Sequence, residues 1–219
     1  MLSTLRSALA PHHVTLVVVS KTQPPERVMK IYEQGQRIFG ENRAQELVAK
    51  QALLPGDIEW HLIGHLQTNK VKLIAPFVHM IHSVDSLRLL QEIDRQAEKC
   101  GRSIHCLLQF HIAQEETKFG LDEAEAQALL ESEHFRQMRH VRLCGVMGMA
   151  SFSNDQALVR AEFGALRGIF QRLKSAYFAD DPHFRHLSMG MSGDWRIAVE
   201  EGSTMVRVGS AIFANAGRA

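Results

Sequence analysis

Lys21 stands at the end of the β-branched segment VVVSKTQPPE (17–26), where a buried strand would reach its carboxyl end. Lysine is rarely fully buried, so this side chain either reaches water or takes part in a reaction. Desolvation at such a position favours the neutral amine, and a neutral amine can attack an aldehyde to form a Schiff base. The alternative is a strand-end lysine that extends to solvent or pairs with an acid.

A second candidate lies in the segment SMGMSGDWRIAVEEGSTMVRVGSAIF (188–213). Ser192 and Gly193 are predicted to open a short helix, whose first free N–H groups can bind an anion. Gly209 and Ser210 follow the last strand-like run and can bring further N–H groups to the same anion. Phosphate sites in parallel barrels often follow strands 7 and 8, so the pattern indicates a phosphate site. The alternative is that these residues only form turns and a helix cap.

Arg207 lies within the last apolar run, TMVRVGS. If Val206 and Val208 face outward, strand alternation turns Arg207 and Gly209 to the inner face. A buried guanidinium needs a partner, either a structural acid or a ligand atom. An amine, a phosphate site and an inward arginine together match pyridoxal phosphate, which has an aldehyde, a phosphate and a ring nitrogen. Enzymes that use this cofactor hold it on a lysine and place an Asp or Arg at the ring nitrogen.

Eight short apolar runs, separated by amphipathic segments, must position these residues. Continuous runs of Val, Ile and Leu are typical of a parallel sheet covered on both faces. The predicted strands are 16–20, 37–40, 60–64, 80–83, 105–112, 143–149, 186–189 and 204–209. Thr22 and the Pro24-Pro25 pair indicate the start of the first intervening helix. The alternation predicts an α/β fold, a single closed (β/α)8 TIM barrel, with an open doubly wound sheet as the alternative.

Function in such a barrel gathers where the strands end. Lys21 ends strand 1, Asn42 follows strand 2, Met147 and Met149 end strand 6, and Ser192 follows strand 7. The unusual polar residues therefore fall at one end of the predicted barrel.

Length and composition narrow the class of protein. We expect one domain spanning residues 1–219. The 25 Lys and Arg against 24 Asp and Glu give no basic surface for nucleic acid or an anionic membrane. Cys100, Cys106 and Cys144 lack CxxC spacing, which indicates reduced thiols. We expect no signal peptide and no run of about 20 apolar residues, and therefore a cytoplasmic protein that does not enter a membrane.

Four histidines, His61, His65, His79 and His82, fall around predicted strands 3 and 4. Imidazole is a common metal ligand. No carboxylate or cysteine spacing supports a metal site here, so we interpret them as ordinary surface or pocket histidines.

Five blocks occur in order along the chain, and together they carry a family resemblance. They are VSKT (19–22), FGENRAQE (39–46), WHLIGHLQTNK (60–70), KFGL (118–121) and the 188–213 segment. The chain resembles the pyridoxal phosphate homeostasis protein family over nearly its whole length. The combination of the five blocks is specific to this family, whereas VSKT alone would be weak evidence for it.

The resemblance implies a barrel of fold type III, similar to the N-terminal domain of alanine racemase, with pyridoxal phosphate as a Schiff base on Lys21. Ser192, Gly209 and Ser210 would hold the phosphate, and Arg207 would face the ring nitrogen. Asn42, Met147 and Met149 would line the pocket. The implied role is buffering or delivery of pyridoxal phosphate, with apo-enzymes as transient partners, by a monomer or weak homodimer. The family usually has Gly where Ala214 stands, and the segment before strand 1 is short.

Two other functions stay open. A racemase or lyase would use the same residues, but an arginine at the ring nitrogen makes the ring a weaker electron sink. Racemases of this type take a tyrosine base from a C-terminal domain that we expect to be absent, and Tyr32 and Tyr177 fall on predicted outer helices. A sugar-phosphate aldolase would explain Lys21 and the phosphate site but not Arg207. We therefore assign no catalytic residue.

Overall fold

The computed structural model describes residues 1–114 and 119–214, and its centre is a barrel of eight parallel strands. The strands are β1 (Thr15–Val19), β2 (Ile38–Glu41), β3 (Glu59–Leu62), β4 (Met80–Val84), β5 (Ile104–Phe110), β6 (Val141–Gly148), β7 (His186–Ser188) and β8 (Met205–Val208). They agree with the eight predicted runs to within a few residues at each end.

Helices connect successive strands on the outside of the barrel. They are α1 (Leu2–Leu9), α2 (Pro25–Tyr32), α3 (Ala44–Gln51), α4 (Val71–Ile74), α5 (Leu87–Lys99), α6 (Glu123–Glu131), α7 (Glu133–Gln137), α8 (Gln156–Tyr177), α9 (Trp195–Glu200) and α10 (Ser210–Phe213). Two 3-10 turns, Ala10–His12 and Thr68–Lys70, complete the described elements. None of the helices among the described residues is long and apolar enough to cross a bilayer.

Pairing between the first and last strands closes the barrel. Val17 of β1 stands beside Arg207 of β8, and Val18 beside Val208, with the two strands parallel. The closed (β/α)8 prediction is therefore confirmed, and the open doubly wound alternative is wrong. Closure brings the carboxyl ends of β1 and β8 together at the same end of the barrel.

The apolar core has two layers, because successive side chains of each strand point alternately to the outside and to the inside of the barrel. Outward strand residues such as Val18, Val206 and Val208 pack against the helices in one large cluster. A smaller cluster inside the barrel contains only strand residues: Val17, Met80, Leu107, Cys144, Met147 and Met205. Each large apolar side chain that is buried contributes about 1.5–3 kcal/mol to stability. The outward orientation of Val206 and Val208 confirms that Arg207 faces inward.

The start of α2 differs from the prediction. Pro24 is the N-cap residue and Pro25 is the first helical residue, where its fixed φ and missing N–H are no cost. Thr22 lies before the helix with φ +63°, in the left-handed region. Two extra residues therefore separate Lys21 from the helix, and they form the turn at the end of β1.

A β-bulge in β6 decides which of its side chains enter the barrel. Cys106 pairs with Leu143, but Leu107 pairs with Gly145, so Cys144 is an extra residue in its strand. The bulge lets Cys144 and Met147 both face the interior, although their spacing of three would otherwise put them on opposite faces. Gly145 has φ +147°, and a Cβ there would come within 1.9 Å of the His186 carbonyl oxygen.

We predict that Gly145→Ala destabilises the protein by about 2–4 kcal/mol, because it combines a strained φ with a backbone clash. Urea unfolding followed by circular dichroism measures the change. The control is Gly56→Ala, where an added Cβ meets no atom within 4 Å. Equal stability of the two variants would contradict this explanation of the bulge.

Candidate functional site

Lys21 lies two residues past the end of β1, at the carboxyl end of the barrel. Val17 belongs to the inner cluster, and alternation turns Val19 and Lys21 toward the same side. The Lys21 side chain is exposed. The expected desolvation of this amine is therefore not found, and the mouth of the barrel is open to water.

The backbone just before Lys21 is fixed by a buried group of three residues, which we call the Ser20 clamp: Ser20, Glu41 and Lys50. The Ser20 hydroxyl donates to Glu41 Oε1 at 2.6 Å. The Lys50 ammonium donates to the same carboxylate oxygen at 2.5 Å and to the Ser20 carbonyl at 2.6 Å. All three residues are buried. The clamp thus joins the end of β1 to β2 and to α3.

Burial raises the pKa of Glu41, and the hydrogen bonds from Lys50 and Ser20 act in the opposite direction. Glu41 Oε2 is buried and has no hydrogen-bond partner among the described residues. On the far side of Lys21, the Thr22 N–H donates to Glu46 Oε2 at 3.4 Å. The block FGENRAQE (39–46) therefore contacts the chain on both sides of Lys21.

The proposed phosphate region brings Ser192 and Gly209 together. The Gly209 N–H donates to Ser192 Oγ at 3.4 Å. Gly209 packs so closely on β1 that an added Cβ would come within 2.5 Å of the Val19 carbonyl oxygen. Ser210 is the exposed first residue of α10. Closure of the barrel thus places these three residues next to the strand that carries Lys21.

The prediction that Ser192 and Gly193 open a helix is wrong. Helix α9 begins at Trp195, with Asp194 as its N-cap residue. A turn precedes it, because Asp194 Oδ1 accepts from the Met191 N–H at 2.5 Å and the Asp194 N–H donates back to the Met191 carbonyl at 3.2 Å. Ser192 and Gly193 lie in this turn, so their backbone N–H groups are not those of the first turn of α9.

Arg207 is 4% exposed and lies inside the barrel. Its guanidinium donates to Ser188 Oγ at 2.6 Å and to the Gly148 carbonyl at 3.0 Å. No carboxylate of the described residues lies within ion-pair distance of it. Burial lowers the pKa of Arg207 to about 10, while Asp194 opposes this shift through its charge. Arg207 is therefore a buried cation held by neutral acceptors, with N–H groups to spare.

A chain of polar contacts continues below Arg207. His82 Nδ1 lies 3.1 Å from Ser188 Oγ, and His82 Nε2 lies 2.9 Å from His61 Nδ1. Burial lowers the pKa of both histidines well below the ordinary value, so they are neutral imidazoles at neutral pH. Both histidines are buried, and the contact of His82 with Ser188 links them to Arg207.

Met147 and Asn42 are less closely tied to this group. Met147 is fully buried in the inner cluster and pairs with Ser188 along β6 and β7, and Met149 beside it is half-buried. Asn42 is half-buried and lines a groove that also contains His65 and Lys70. The structure thus brings Met147 to the level of Arg207, whereas Asn42 lies toward the neighbouring loop.

Sequence reasoning missed Lys50 and Ser188 as parts of the site, and it did not link His82 to Arg207. Lys50 stands near the end of α3, 30 residues after Ser20 and 9 after Glu41, and no spacing rule connects it to either residue. Ser188 could have been found, since alternation turns it inward at the end of β7. In the KFGL block (118–121), Lys118 lies outside the described residues, and Phe119 stacks on His65 with ring centres 4.0 Å apart.

Comparisons with known proteins agree with this geometry. Residues 2–216 match the family model described as alanine racemase, N-terminal domain. The pyridoxal phosphate homeostasis protein of Aquifex aeolicus is 39% identical over 199 residues, which cover 90% of this chain and 85% of that protein. The protein of the same name from Escherichia coli is 35% identical over 95% of this chain and 88% of its own length.

Solved structures give the same result. PipY of Synechococcus elongatus, solved with pyridoxal phosphate bound, is 40% identical, with a TM-score of 0.84 and 97% coverage of each chain. Alanine racemase from Bartonella henselae has a TM-score of 0.74 over 96% of this chain and 58% of its own, but only 16% identity, so it shows the fold alone. By sequence and by structure, this chain belongs to the pyridoxal phosphate homeostasis protein family, built on the alanine racemase N-terminal barrel.

Proposed function

We propose that this chain binds pyridoxal phosphate at the carboxyl end of the barrel and acts in the homeostasis of that cofactor, by buffering it or passing it to apo-enzymes. The observation that carries the proposal is Arg207, a buried cation without a carboxylate partner among the described residues. A buried charge of this kind is costly unless a ligand adds a partner. The PLP-bound structure of the 40% identical PipY supports the choice of ligand.

Lys21 is proposed as the covalent anchor. Its exposed amine can reach a ligand at the open mouth, and condensation with the cofactor aldehyde would form a Schiff base and release water. The Ser20 clamp fixes the carbonyl of the preceding residue, so the backbone that carries this amine does not move freely.

Ser192, Gly209 and Ser210 are proposed to hold the phosphate. The Ser192 hydroxyl and the backbone N–H groups around Gly209 and Ser210 are small donors, and at Gly209 there is no room for a side chain. Arg207 lies deeper in the barrel, where we propose that it faces the ring nitrogen. Met147, Met149 and Asn42 are proposed to line the pocket, with thioethers that adapt to the ring.

A racemase function needs a second base on the opposite face of the substrate. Both tyrosines of this chain lie on outer helices and are engaged there. Tyr32 donates to Asp57 at 2.7 Å, and Tyr177 donates to Glu131 at 2.7 Å. Neither is placed to act at the barrel mouth, which supports a role in holding the cofactor. We further propose a cytoplasmic monomer or weak homodimer, in keeping with three free cysteines.

We predict that Lys21→Ala abolishes the visible absorbance of the protein with pyridoxal phosphate and weakens binding at least about tenfold. Borohydride should fix a pyridoxyl group on the peptide that contains Lys21 in the unaltered protein. Lys30→Ala, which changes an exposed lysine of α2, is the control. A Lys21→Ala protein with unchanged spectrum and affinity would refute the covalent anchor.

We predict that Ser192→Ala weakens binding of pyridoxal phosphate by about threefold to tenfold, because one donor to the phosphate is lost. Binding of pyridoxal, which has no phosphate, should not change. Fluorescence titration with both ligands makes the comparison, with Ser7→Ala on the exposed face of α1 as the control. An equal effect on both ligands would show that Ser192 does not serve the phosphate.

We predict that Lys50→Met destabilises the protein by about 3–5 kcal/mol, because it leaves the Glu41 carboxylate buried without its cation. Urea unfolding measures the change, and Lys72→Met, an exposed lysine of α4, is the control. Adding Glu41→Gln to Lys50→Met should restore most of the loss. If the double variant is as unstable as the single one, the buried charge is not the cause.

A further inference from the structure

The amino end of the barrel, opposite the site of Lys21, carries a second group of chemically active side chains. Glu59 begins β3, His61 follows it on the same face of the strand, and His79 directly precedes β4. One ligand atom from each of the three lies within 4.8 Å of the others. His79 Nε2 is 3.6 Å from Glu59 Oε2, and the His61 and His79 rings stack with centres 5.6 Å apart.

His61 supplies the observation that points to a ligand. It is 2% exposed, and its Nε2 is buried without a hydrogen-bond partner among the described residues. The other ring nitrogen, Nδ1, is taken by the contact with His82 Nε2 at 2.9 Å. A buried ring nitrogen without a partner is costly. The Nε2 atom is thus the one that His61 can offer to the group with Glu59 and His79.

The hydrogen bonds that join His61, His82 and Ser188 can point in either of two directions along the chain. If His61 Nδ1 donates to His82 and His82 Nδ1 donates to Ser188 Oγ, the chain ends in a lone pair at His61 Nε2. If the donors are reversed, it ends in a buried N–H that nothing accepts. Arg207 already donates to Ser188 Oγ, and a hydroxyl oxygen can accept two hydrogen bonds. Both directions fit these contacts, because the Ser188 hydroxyl can accept from Arg207 and still donate to His82. Only the first direction leaves a lone pair at His61 Nε2, so it is the direction that a metal ion at this atom requires.

We propose that Glu59, His61 and His79 bind a divalent transition-metal ion such as Zn²⁺ at the amino end of the barrel. Two imidazoles and one carboxylate are a known ligand set for zinc, and they leave a fourth position for water. The Glu59 and His79 side chains are 46% and 39% exposed, so an ion can enter from solvent. This site goes beyond the proposed function, since it lies at the other end of the barrel from Lys21.

Such a site would also join β3 to β4 where the barrel is open. His61 and Met80 are neighbours in the register of these strands, and His79 comes immediately before Met80. No recognised metal spacing is visible in the sequence, because two ligands come from β3 and the third directly precedes β4.

The test is isothermal titration calorimetry of ZnCl₂ into the full-length, metal-stripped protein. We expect one tight site per chain, and at least about tenfold weaker binding in His79→Ala and in Glu59→Gln. The matched control is His65→Ala, since His65 is also 39% exposed and also pairs with an acid, Asp85, at 3.1 Å. Absence of a tight site, or a loss as large in His65→Ala, would overturn the proposal.

Cobalt provides a second measurement that identifies the ligands. Co²⁺ should give the d–d bands of a site with nitrogen and oxygen ligands, without the thiolate charge-transfer absorbance that binding by Cys100, the exposed cysteine, would add. These bands should be lost in Glu59→Gln, whose half-exposed side chain can change without disturbing the fold. Bands that persist in this variant, or that depend on Cys100, would contradict the assignment.

Discussion

The pairing of β1 with β8 is the constraint on which the rest of this structure depends. Without it, Lys21 near the start of the chain and Gly209 near its end would be unrelated residues. Closure puts them on neighbouring strand ends, and the close contact of Gly209 with the Val19 carbonyl shows how little space separates the two strands. Parallel pairing also fixes the alternation, which turns Arg207 inward at the level of Val17.

Two groups of buried polar residues reduce the free-energy cost of burying a charge, and they lie in different layers of the barrel. The Ser20 clamp lies between strand and helix, where Glu41 and Lys50 neutralise each other. Arg207 lies inside the barrel, where neutral acceptors hold it and no acid of the described residues neutralises it. Breaking a buried ion pair is strongly destabilising, so the clamp keeps its geometry. Arg207 has no acid of this kind, so its N–H groups are not taken up by an ion pair among the described residues.

The strands could be predicted from continuous apolar runs, and the inward orientation of Arg207 from alternation along one of them. The turn before α9 could not, because Asp194 bonds back to the Met191 N–H and leaves Ser192 and Gly193 outside the helix. Whether Lys21 is buried or exposed stayed open, since a sequence does not show how wide a barrel mouth is. Gly145 is required by the close approach of the His186 carbonyl, 41 residues later, and contacts of that kind leave no pattern in either segment.

The polar chain from Arg207 through Ser188 and His82 to His61 crosses the barrel from one end to the other. Arg207 donates to Ser188 Oγ, while the Ser188 hydroxyl, His82 and His61 can exchange donor and acceptor roles together. A group bound to Arg207 and a group bound to His61 therefore touch the same chain from opposite ends. A reversal of the His82 tautomer reverses both of its hydrogen bonds and changes His61 Nε2 from an acceptor to a donor. The interior of this barrel is thus a connected polar path surrounded by an apolar layer, rather than a uniform core.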